Sequence, residues 1–294
     1  MSFRERLIDV SFQLAEGEFG DKLGTTVTYS GLRCEAAINN VHGATLNSLQ
    51  FRVYGMSENV MNQLSTLGVN IMMVRRNIIT VSVSNEYGGM TQAFQGTISN
   101  AWIDYRGAPE VSFNVEALAG FYEQVKAIGV NSYKGPTDVA TVIQSLAASI
   151  GFAFTNNGVT AKLASPYFAG SAITQIKDCA RHAGIACDIS NGSVQIWPSG
   201  GVRDDVTLVI SPGTGLVGYP VFSKIGINIQ TEYNPDITIG RRLEVQSSIP
   251  QACAKDWYCQ VSRHELASQV PNGPWFTYSQ LAGAGYHVAK GSAW

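Results

Sequence analysis

Charged side chains are scarce in this sequence. Aspartate, glutamate, lysine and arginine make up 14% of its 294 residues, whereas soluble domains average about 25%. The 20 basic residues are balanced by 22 acidic ones, so the net charge is −2 and the basic excess of a dedicated nucleic-acid-binding protein is absent. Because surface charge keeps soluble proteins apart, this composition indicates a β-rich protein with many turns, a surface covered by other subunits, or both.

Long apolar runs are also absent. No run of about 18 or more residues is apolar throughout, so we expect no helix that spans a membrane and no membrane anchor. The N-terminal stretch MSFRERLIDV is charged and has no apolar core, which does not suggest a secretory signal peptide. Five cysteines are an odd number in a long chain and do not suggest a disulfide framework. We therefore predict reduced thiols in a protein that folds in the cytoplasm.

Catalytic motifs are missing as well. None of the four histidines belongs to an H-E-x-x-H motif, and neither G-x-S-x-G nor G-x-x-x-x-G-K-[ST] occurs. Two acidic groups, one at Glu16, Glu18 and Asp21 and one at 204–205, lack the apolar pocket that raises the pKa of a general acid. The Gly-Thr-Gly stretch 213–215 precedes strand-like residues rather than a helix, so it forms no phosphate cradle. The sequence predicts no enzyme, no catalytic residues and no cofactor.

Two groups of cysteines are candidates for a metal site or a disulfide. Cys179, His182 and Cys187 are spaced as C-x2-H-x4-C, but they supply three ligands and a structural zinc site needs four. Cys253 and Cys259 flank a predicted hairpin turn, where a disulfide is the alternative to free thiols. We predict no metal site and no disulfide.

The N-terminal third of the sequence has the pattern of β-strands. The 30 glycines of the whole chain exceed the usual share of about 7% and suit a fold with many turns. Alternating, β-branched segments predict strands at 25–29, 46–54, 78–84, 91–102 and 109–115. One helix is predicted at 57–67, with Ser57 as its N-cap. Short strands separated by turns favour a small β-barrel or sandwich over residues 1–117.

Residues 118–199 change to an α+β pattern. A helix capped by Thr137 is predicted to end at Gly151, and a second helix over 171–183 to end at Gly184. Strands are predicted at 185–189 and 194–197, with Asn191-Gly192 as a type I′ turn between them. Since this module has its own apolar stripes, we expect the flanking β regions to fold without it.

The remaining residues, 200–294, return to the β pattern. Strands are predicted at 206–210, 223–231, 242–247 and 256–264, and prolines and glycines punctuate the gaps. The order of the chain is therefore β-rich, α+β, β-rich. We predict a mainly β fold with two similar β domains and an inserted α+β module.

Turn signals and strand patterns along the chain resemble a known family. In the last third they are 201–203, 210–220, 234–235, 239–240, 247–249, 257–261, His264, Leu266 and 271–275; in the first third they are 49–56, 61–65 and 94–101. Together they resemble the baseplate hub proteins of contractile-tailed bacteriophages, the adaptors between tail tube and spike. These motifs consist of glycine and proline turns and strand patterns, without catalytic signatures.

The resemblance implies a structural protein. Such hubs resemble two copies of the tail-tube β-barrel, here 1–117 and 200–294, with an inserted module at 118–199. The implied partners are further copies in a homotrimer, the six-fold tail tube protein, the trimeric central spike and other baseplate proteins. The resemblance also implies that DNA passes through the channel without specific binding, and that the protein resides in the tail baseplate of the virion after assembly in the host cytoplasm.

A second hypothesis also starts from the inserted module. It resembles the short helix-strand domains of secretins, so an envelope-facing binding module is the alternative function. Such a protein is expected to carry an export signal, which the sequence does not suggest.

Overall fold

A computed structural model describes residues 6–20, 24–41, 43, 45–66, 76–84, 89–253 and 256–283. The fold is mainly β, as predicted, with short helices. Thirteen strands form one continuous sheet, and three small sheets lie in the middle of the chain. No helix in these described ranges is long and apolar enough to cross a membrane.

The first β region contains seven strands and one helix. They are β1 (Ile8–Gln13), β2 (Thr26–Tyr29), β3 (Cys34–Val41), β4 (Ser48–Tyr54), α1 (Glu58–Leu64), β5 (Ile78–Ser84), β6 (Met90–Asp104) and β7 (Ser112–Leu118). The five strands predicted from alternation are confirmed, β5 with the predicted ends and the other four with shifted ends, whereas β1 and β3 were not predicted. The helix is shorter than predicted, and Ser57 precedes it without a side-chain capping bond; Leu67, at its predicted end, lies outside the described residues.

The insert follows the first β region. It consists of α2 (Phe121–Val125), β8 (Asn131–Ser132), β9 (Pro136–Asp138), α3 (Val139–Ser149), β10 (Ala153–Asn156), β11 (Lys162–Ala164), β12 (Tyr167–Phe168), α4 (Ala172–Ala183), β13 (Ile185–Ser190) and β14 (Ser193–Pro198). Helices α3 and α4 pack with the sheet β10-β14-β13 around a common apolar core. The predicted α+β character is confirmed.

The ends of the insert's elements follow capping and turn chemistry. Thr137 was predicted to cap α3, but it lies in β9, and Asp138 is the cap: its carboxylate accepts a 2.9 Å hydrogen bond from the Thr141 N–H. A carboxylate suits this place because it also faces the positive end of the helix dipole. Gly184 ends α4 in the left-handed conformation, as predicted. The hairpin turn at Asn191-Gly192 is confirmed, with φ of 49° and 72°.

The second β region completes the chain. It contains β15 (Thr207–Ile210), a 3-10 turn (Pro212–Thr214), β16 (Leu216–Phe222), β17 (Gly226–Glu232), β18 (Arg242–Val245), α5 (Pro250–Cys253), β19 (Asp256–Ser268) and β20 (Trp275–Gly283). Four of its strands were predicted, and β16 and β20 were not. Strand β19 extends to Ser268, beyond the predicted end at residue 264.

The two β regions are joined edge to edge into one sheet. Its order is β16-β17-β20-β19-β3-β4-β7-β6-β5-β1-β2, with β18 and β15 branching from β19. The junction is the antiparallel pairing of β3 with β19, which runs over eight positions from Val41↔Val261 to Cys34↔Ser268. Among the described strands, no pairing closes either β region into a barrel.

The strand order of the first β region recurs in the second. The first region reads β3-β4-β7-β6-β5-β1, and the second reads β16-β17-β20-β19-β18-β15. Both long strands, β6 and β19, carry a bulge at the corresponding place, at Ser99 and Gln260. The regions differ at one end: β1 pairs antiparallel with β5, whereas β15 pairs parallel with β18.

A buried polar cluster holds the insert against both β regions. Arg203 donates to Asp188 of β13 (3.3 Å) and to the backbone oxygen of Ile239 in the second β region (3.3 Å). Asp188 also accepts from Asn47 of the first β region (3.5 Å). The Asp188 and Arg203 side chains are 5% and 10% exposed. The Trp197 ring packs against Gly240, which has a φ of 80°. Any other residue at position 240 would place its Cβ 2.5 Å from that ring.

Candidate functional site on the open face of the sheet

Eight consecutive strands, from β16 to β6 in sheet order, have one buried face and one open face. In β4, for example, Leu49, Phe51 and Val53 are buried, while Gln50 and Arg52 are exposed. Successive side chains of a strand point to opposite faces, and paired residues of neighbouring strands share a face. The register therefore assigns the residues of the other strands, including Asn114, which lies on this face although it is only 6% exposed. The sequence places apolar side chains over the core and polar side chains on the open face.

The open face is polar and carries more acidic than basic groups. Among its described residues are Asn228, Gln230, Glu232, Phe276, Tyr278, Gln280, Val261, Arg263, Glu265, Glu35, Ala37, Asn39, Ser48, Gln50, Arg52, Asn114, Glu116, Asn100, Trp102 and Asp104. Five of these side chains are carboxylates and two are arginines. We call this set the polar face.

Both arginines of the polar face lie beside carboxylates. The Arg263 guanidinium is 2.7 Å from Glu265, and Arg52 is 3.9 Å from Glu35 and donates to Asn114 at 2.9 Å. At the end of β6, hydrogen bonds from Arg106 lower the pKa of Asp104 to about 2. The Asp104 carboxylate is therefore ionised at neutral pH, and each arginine within the polar face lies beside a carboxylate.

The middle of the polar face is concave. A groove of about 510 Å³ lies between Glu35, Arg52, Trp102, Glu265 and Pro274, among other residues. It contains carboxylates, amides and one indole, without a nucleophile beside a base. In the ranges that the structure describes, no group of three histidine, cysteine or acidic side chains is placed to hold a metal ion. The geometry suits a polar wall rather than a reaction centre.

The residues examined for metal binding lie in packed surroundings. Cys179 is buried in α4, and His182 stacks on Phe168 with ring centroids 6.0 Å apart. Burial raises the pKa of the Cys179 and Cys187 thiols to about 12, so the thiolates that bind metals are disfavoured. All five cysteines, including Cys253 and Cys259, are free thiols.

The remaining candidates do not converge on one site. Glu16 and Glu18 are exposed in a loop, and Asp21 lies outside the described residues. Asp204 pairs with Arg241 at 2.7 Å, a structural contact within the second β region. The Gly-Thr-Gly stretch lies at the 3-10 turn and leads into β16, as the sequence indicated. Of the histidines, His42 and His287 are also outside the described residues.

One buried histidine lies at the junction between the two β regions. His264 of β19 makes a 2.8 Å hydrogen bond through Nδ1 with the Thr277 hydroxyl, and Tyr233 packs edge-on against its ring. Burial lowers the pKa of His264 to about 4, so the ring is neutral at pH 7. It acts as a core residue that pairs across the sheet with Ile38 of β3.

No site residue is predicted from the sequence motifs, and the polar face is not recognisable from the sequence for a physical reason. Its signal is present in segments such as LQFRVY, where polar residues alternate with apolar ones. Alternation shows that a strand has an open face, but it does not show which strands are neighbours. The polar face becomes one surface only through pairings such as β3 with β19, which join residues more than 200 positions apart.

Three solved structures share this fold. A type VI secretion component of E. coli, c3393, described as similar to the T4 tail proteins gp27 and gp5, is 10% identical (TM-score 0.61, 88% of this chain, 76% of that chain). A tail protein of Neisseria meningitidis is 12% identical (0.60, 95% and 98%). A 43 kDa prophage tail protein of Shewanella oneidensis is 10% identical (0.59, 94% and 97%). At such identities the likeness shows the fold alone.

Sequence comparison identifies the family. No curated protein matches the chain, but the family model described as "Baseplate hub gp41" matches residues 7–277. This match covers both β regions and the insert, and it supports the baseplate resemblance over the envelope-facing alternative. The chain belongs to the Baseplate hub gp41 family and is a structural protein of a phage tail baseplate.

Proposed function

We propose that the protein joins the six-fold tail tube to the trimeric central spike as a homotrimer, with the polar face lining a channel for DNA. The observation that carries the proposal is the recurrence of one strand order in both β regions. Three copies offer six similar β regions to a six-fold ring and three identical faces to a trimer. A chain with a single β region has no equivalent way to match the two symmetries.

The two β regions are proposed to act as tail-tube-like barrels. On this proposal residues 1–117 and 200–294 are the barrel domains, closed by contacts that a single chain does not supply, and 118–199 is an inserted domain. The low charge content supports this, because each β region would have neighbours on both flanks. The partners are the tail tube protein, the spike and other baseplate proteins in the virion, after assembly in the host cytoplasm.

The composition of the polar face suits a channel that DNA crosses without being held. Lysine and arginine side chains bind DNA by neutralising phosphates and releasing counterions. On the polar face, Arg52 and Arg263 both lie beside carboxylates, and acidic groups are in excess. A wall of this kind repels phosphates weakly and offers amides and hydroxyls that water can solvate.

The symmetry of the assembled protein tests the proposal. Native mass spectrometry and electron microscopy of the purified protein, alone and with the spike of the same phage, should show a three-fold ring. Its six β regions should surround an open channel lined by the polar face. A protein that stays monomeric with the spike, or a ring whose channel is lined by another surface, would refute the proposed function.

A further inference from the structure

The seam inside the chain shows how one β region contacts the next. It joins β3 of the first β region to β19 of the second, along the part of β19 that follows the bulge at Gln260. Because the two regions share a strand order, each strand of the seam has a counterpart. The counterpart of β3 is β16, and the counterpart of β19 is β6.

The register carries this equivalence to single residues. One row across the first region reads Ile38, Leu49, Ala117, Ile98, and the matching row of the second reads Phe222, Ile227, Leu281, Cys259. Two backbone bonds agree: Ile98 donates to Asn77 at 2.8 Å, and Cys259 donates to Arg241 at 3.1 Å. The two acceptors correspond as well, because Asn77 is the residue just before β5 and Arg241 is the residue just before β18.

The equivalence then identifies the counterpart of the seam's central pair. In the seam Ile38 faces His264, which lies five residues after Cys259. Phe222 takes the place of Ile38, and Ile103, five residues after Ile98, takes the place of His264. The repeat therefore places Phe222 opposite Ile103.

Both counterpart strands have an edge without a paired strand in the described part of the chain. β16 ends the sheet, and its Tyr219, Val221 and Phe222 are 69%, 63% and 55% exposed. On the side of β6 away from β7, pairing with β5 stops at Thr97. Exposed apolar edges of this kind are pairing sites that soluble proteins usually protect.

We propose that copies of this chain associate head to tail through antiparallel pairing of residues 221–223 in one copy with residues 102–104 in the next, with Phe222 opposite Ile103. The proposal rests on the proposed function, which requires a ring of three copies. β16 and β6 are the two ends of the eight-strand run that carries the polar face. The pairing therefore continues that face from one copy to the next.

The contact between copies is shorter than the seam inside the chain. Thr66 occupies the β6 edge at Ala101: its hydroxyl accepts from the Ala101 N–H at 2.7 Å, and its N–H donates to the Ala101 oxygen at 2.9 Å. On β16 a bulge between Val217 and Val221 contains Pro220, which has no N–H to donate. Three positions remain for pairing, against eight in the seam. We expect association that depends on protein concentration and is strengthened by the spike.

Paired cysteines test the contact. The Cα atoms of facing residues in antiparallel strands are about 4.5–5.5 Å apart, within the range of a disulfide. The variant I103C/F222C, in a C253S background, should give covalent trimers on oxidation, and I103C or F222C alone should not. Burial raises the pKa of the Cys34, Cys179, Cys187 and Cys259 thiols to about 12, so they react slowly. T28C/F222C is the matched control, because Thr28 lies in β2 at the other end of the sheet.

Two substitutions of opposite charge at Val221 test the register. In the proposed pairing Val221 faces Asp104 of the next copy. V221D should weaken association by up to about 5-fold per contact, as like charges on facing strands repel, and V221K at the same exposed position should not. Equal effects of the two variants would refute the register.

The outcomes separate the contact from the function. If T28C/F222C links copies instead, or if native mass spectrometry shows a trimer that I103C/F222C does not link, the contact is wrong and the trimer stands. If the wild-type protein stays monomeric with the spike and no variant links, both the contact and the proposed function are wrong.

Discussion

The first β region covers its core mainly with its own β1, β2 and α1, together with Leu266 and Trp275 of the second region, whereas the core of the second includes side chains of the insert. Phe12 of β1, Val60 and Leu64 of α1 are buried in the first core. The second core contains Ala186 and Trp197 from the strands of the insert. Strand β2 has no counterpart among the described strands of the second region.

This difference bears on the role of the insert. Each copy of the repeated strand order needs a cover for its core, because a sheet buries one face only against another layer. In the second region the end of the insert supplies part of that cover, and Arg203 fixes it there through Asp188. The β regions are predicted to fold without the insert, whereas these contacts indicate that its removal exposes part of the second core.

Truncating Trp197 should give the largest effect. Trp197 is 2% exposed in the second core, and replacing a buried tryptophan by alanine costs about 3–5 kcal/mol. We expect Trp197→Ala to lower the free energy of unfolding by that amount. Hydrogen exchange should show the loss of protection in β15–β20 before β1–β7. Trp102→Ala, on the open face of the first region, is the control. If Trp197→Ala lowers hydrogen-exchange protection equally in both regions, the two regions unfold as one unit and the expected difference between them is wrong.

Breaking the buried ion pair should cost nearly as much. Arg203→Met leaves the Asp188 carboxylate buried without its cation, which typically costs about 3–5 kcal/mol. The double variant Arg203→Met/Asp188→Leu should recover most of the loss, because an apolar pair avoids the desolvation penalty. In the first region, Arg33→Met breaks an exposed pair with Glu110 and should cost about 1 kcal/mol or less in chemical denaturation. A double variant as unstable as the single would contradict the role given to charge burial.

The contrast between the regions also shows what sequence can predict. Strands such as β5 alternate clearly, and the hairpin at Asn191-Gly192 is set by two residues that favour positive φ, so local chemistry sufficed. β3 reads CEAAINNV and is a strand because β4 and β19 pair with both of its edges. β16 contains a glycine and a proline that favour a turn, and here they form a bulge. The polar face depends on such long-range pairings, which alternation does not encode.

Acidification should affect the second region through His264. Its pKa is about 4 in the folded protein against an ordinary 6.5, so the unfolded chain binds the proton more strongly. The folded protein therefore keeps its full stability above pH 6.5 and loses about 3 kcal/mol in total as the pH falls from 6.5 through 4. His264→Gln keeps hydrogen-bonding groups without titrating, and its unfolding free energy should fall less between pH 7 and 4. The counterpart of His264 in the first region is Ile103, which does not titrate. If the unfolding free energies of His264→Gln and wild type depend on pH in the same way, His264 is not the cause of the acid sensitivity.

Reversing charges on the polar face should change stability least and DNA binding most. Glu35, Glu116 and Glu265 lie on this face in both β regions, and replacing all three by lysine should cost about 1 kcal/mol or less per broken exposed pair. The ring should then bind a short DNA duplex with an affinity that falls steeply with salt, at a slope of about −0.9 per phosphate contacted. Fluorescence anisotropy over a salt series measures both quantities. The matched control replaces three exposed acids off this face, Glu16, Glu18 and Glu110, with the same change in net charge. If the control gains DNA affinity equally, net charge alone explains the effect and the polar face does not line the channel; a gain confined to the polar face shows that DNA reaches it.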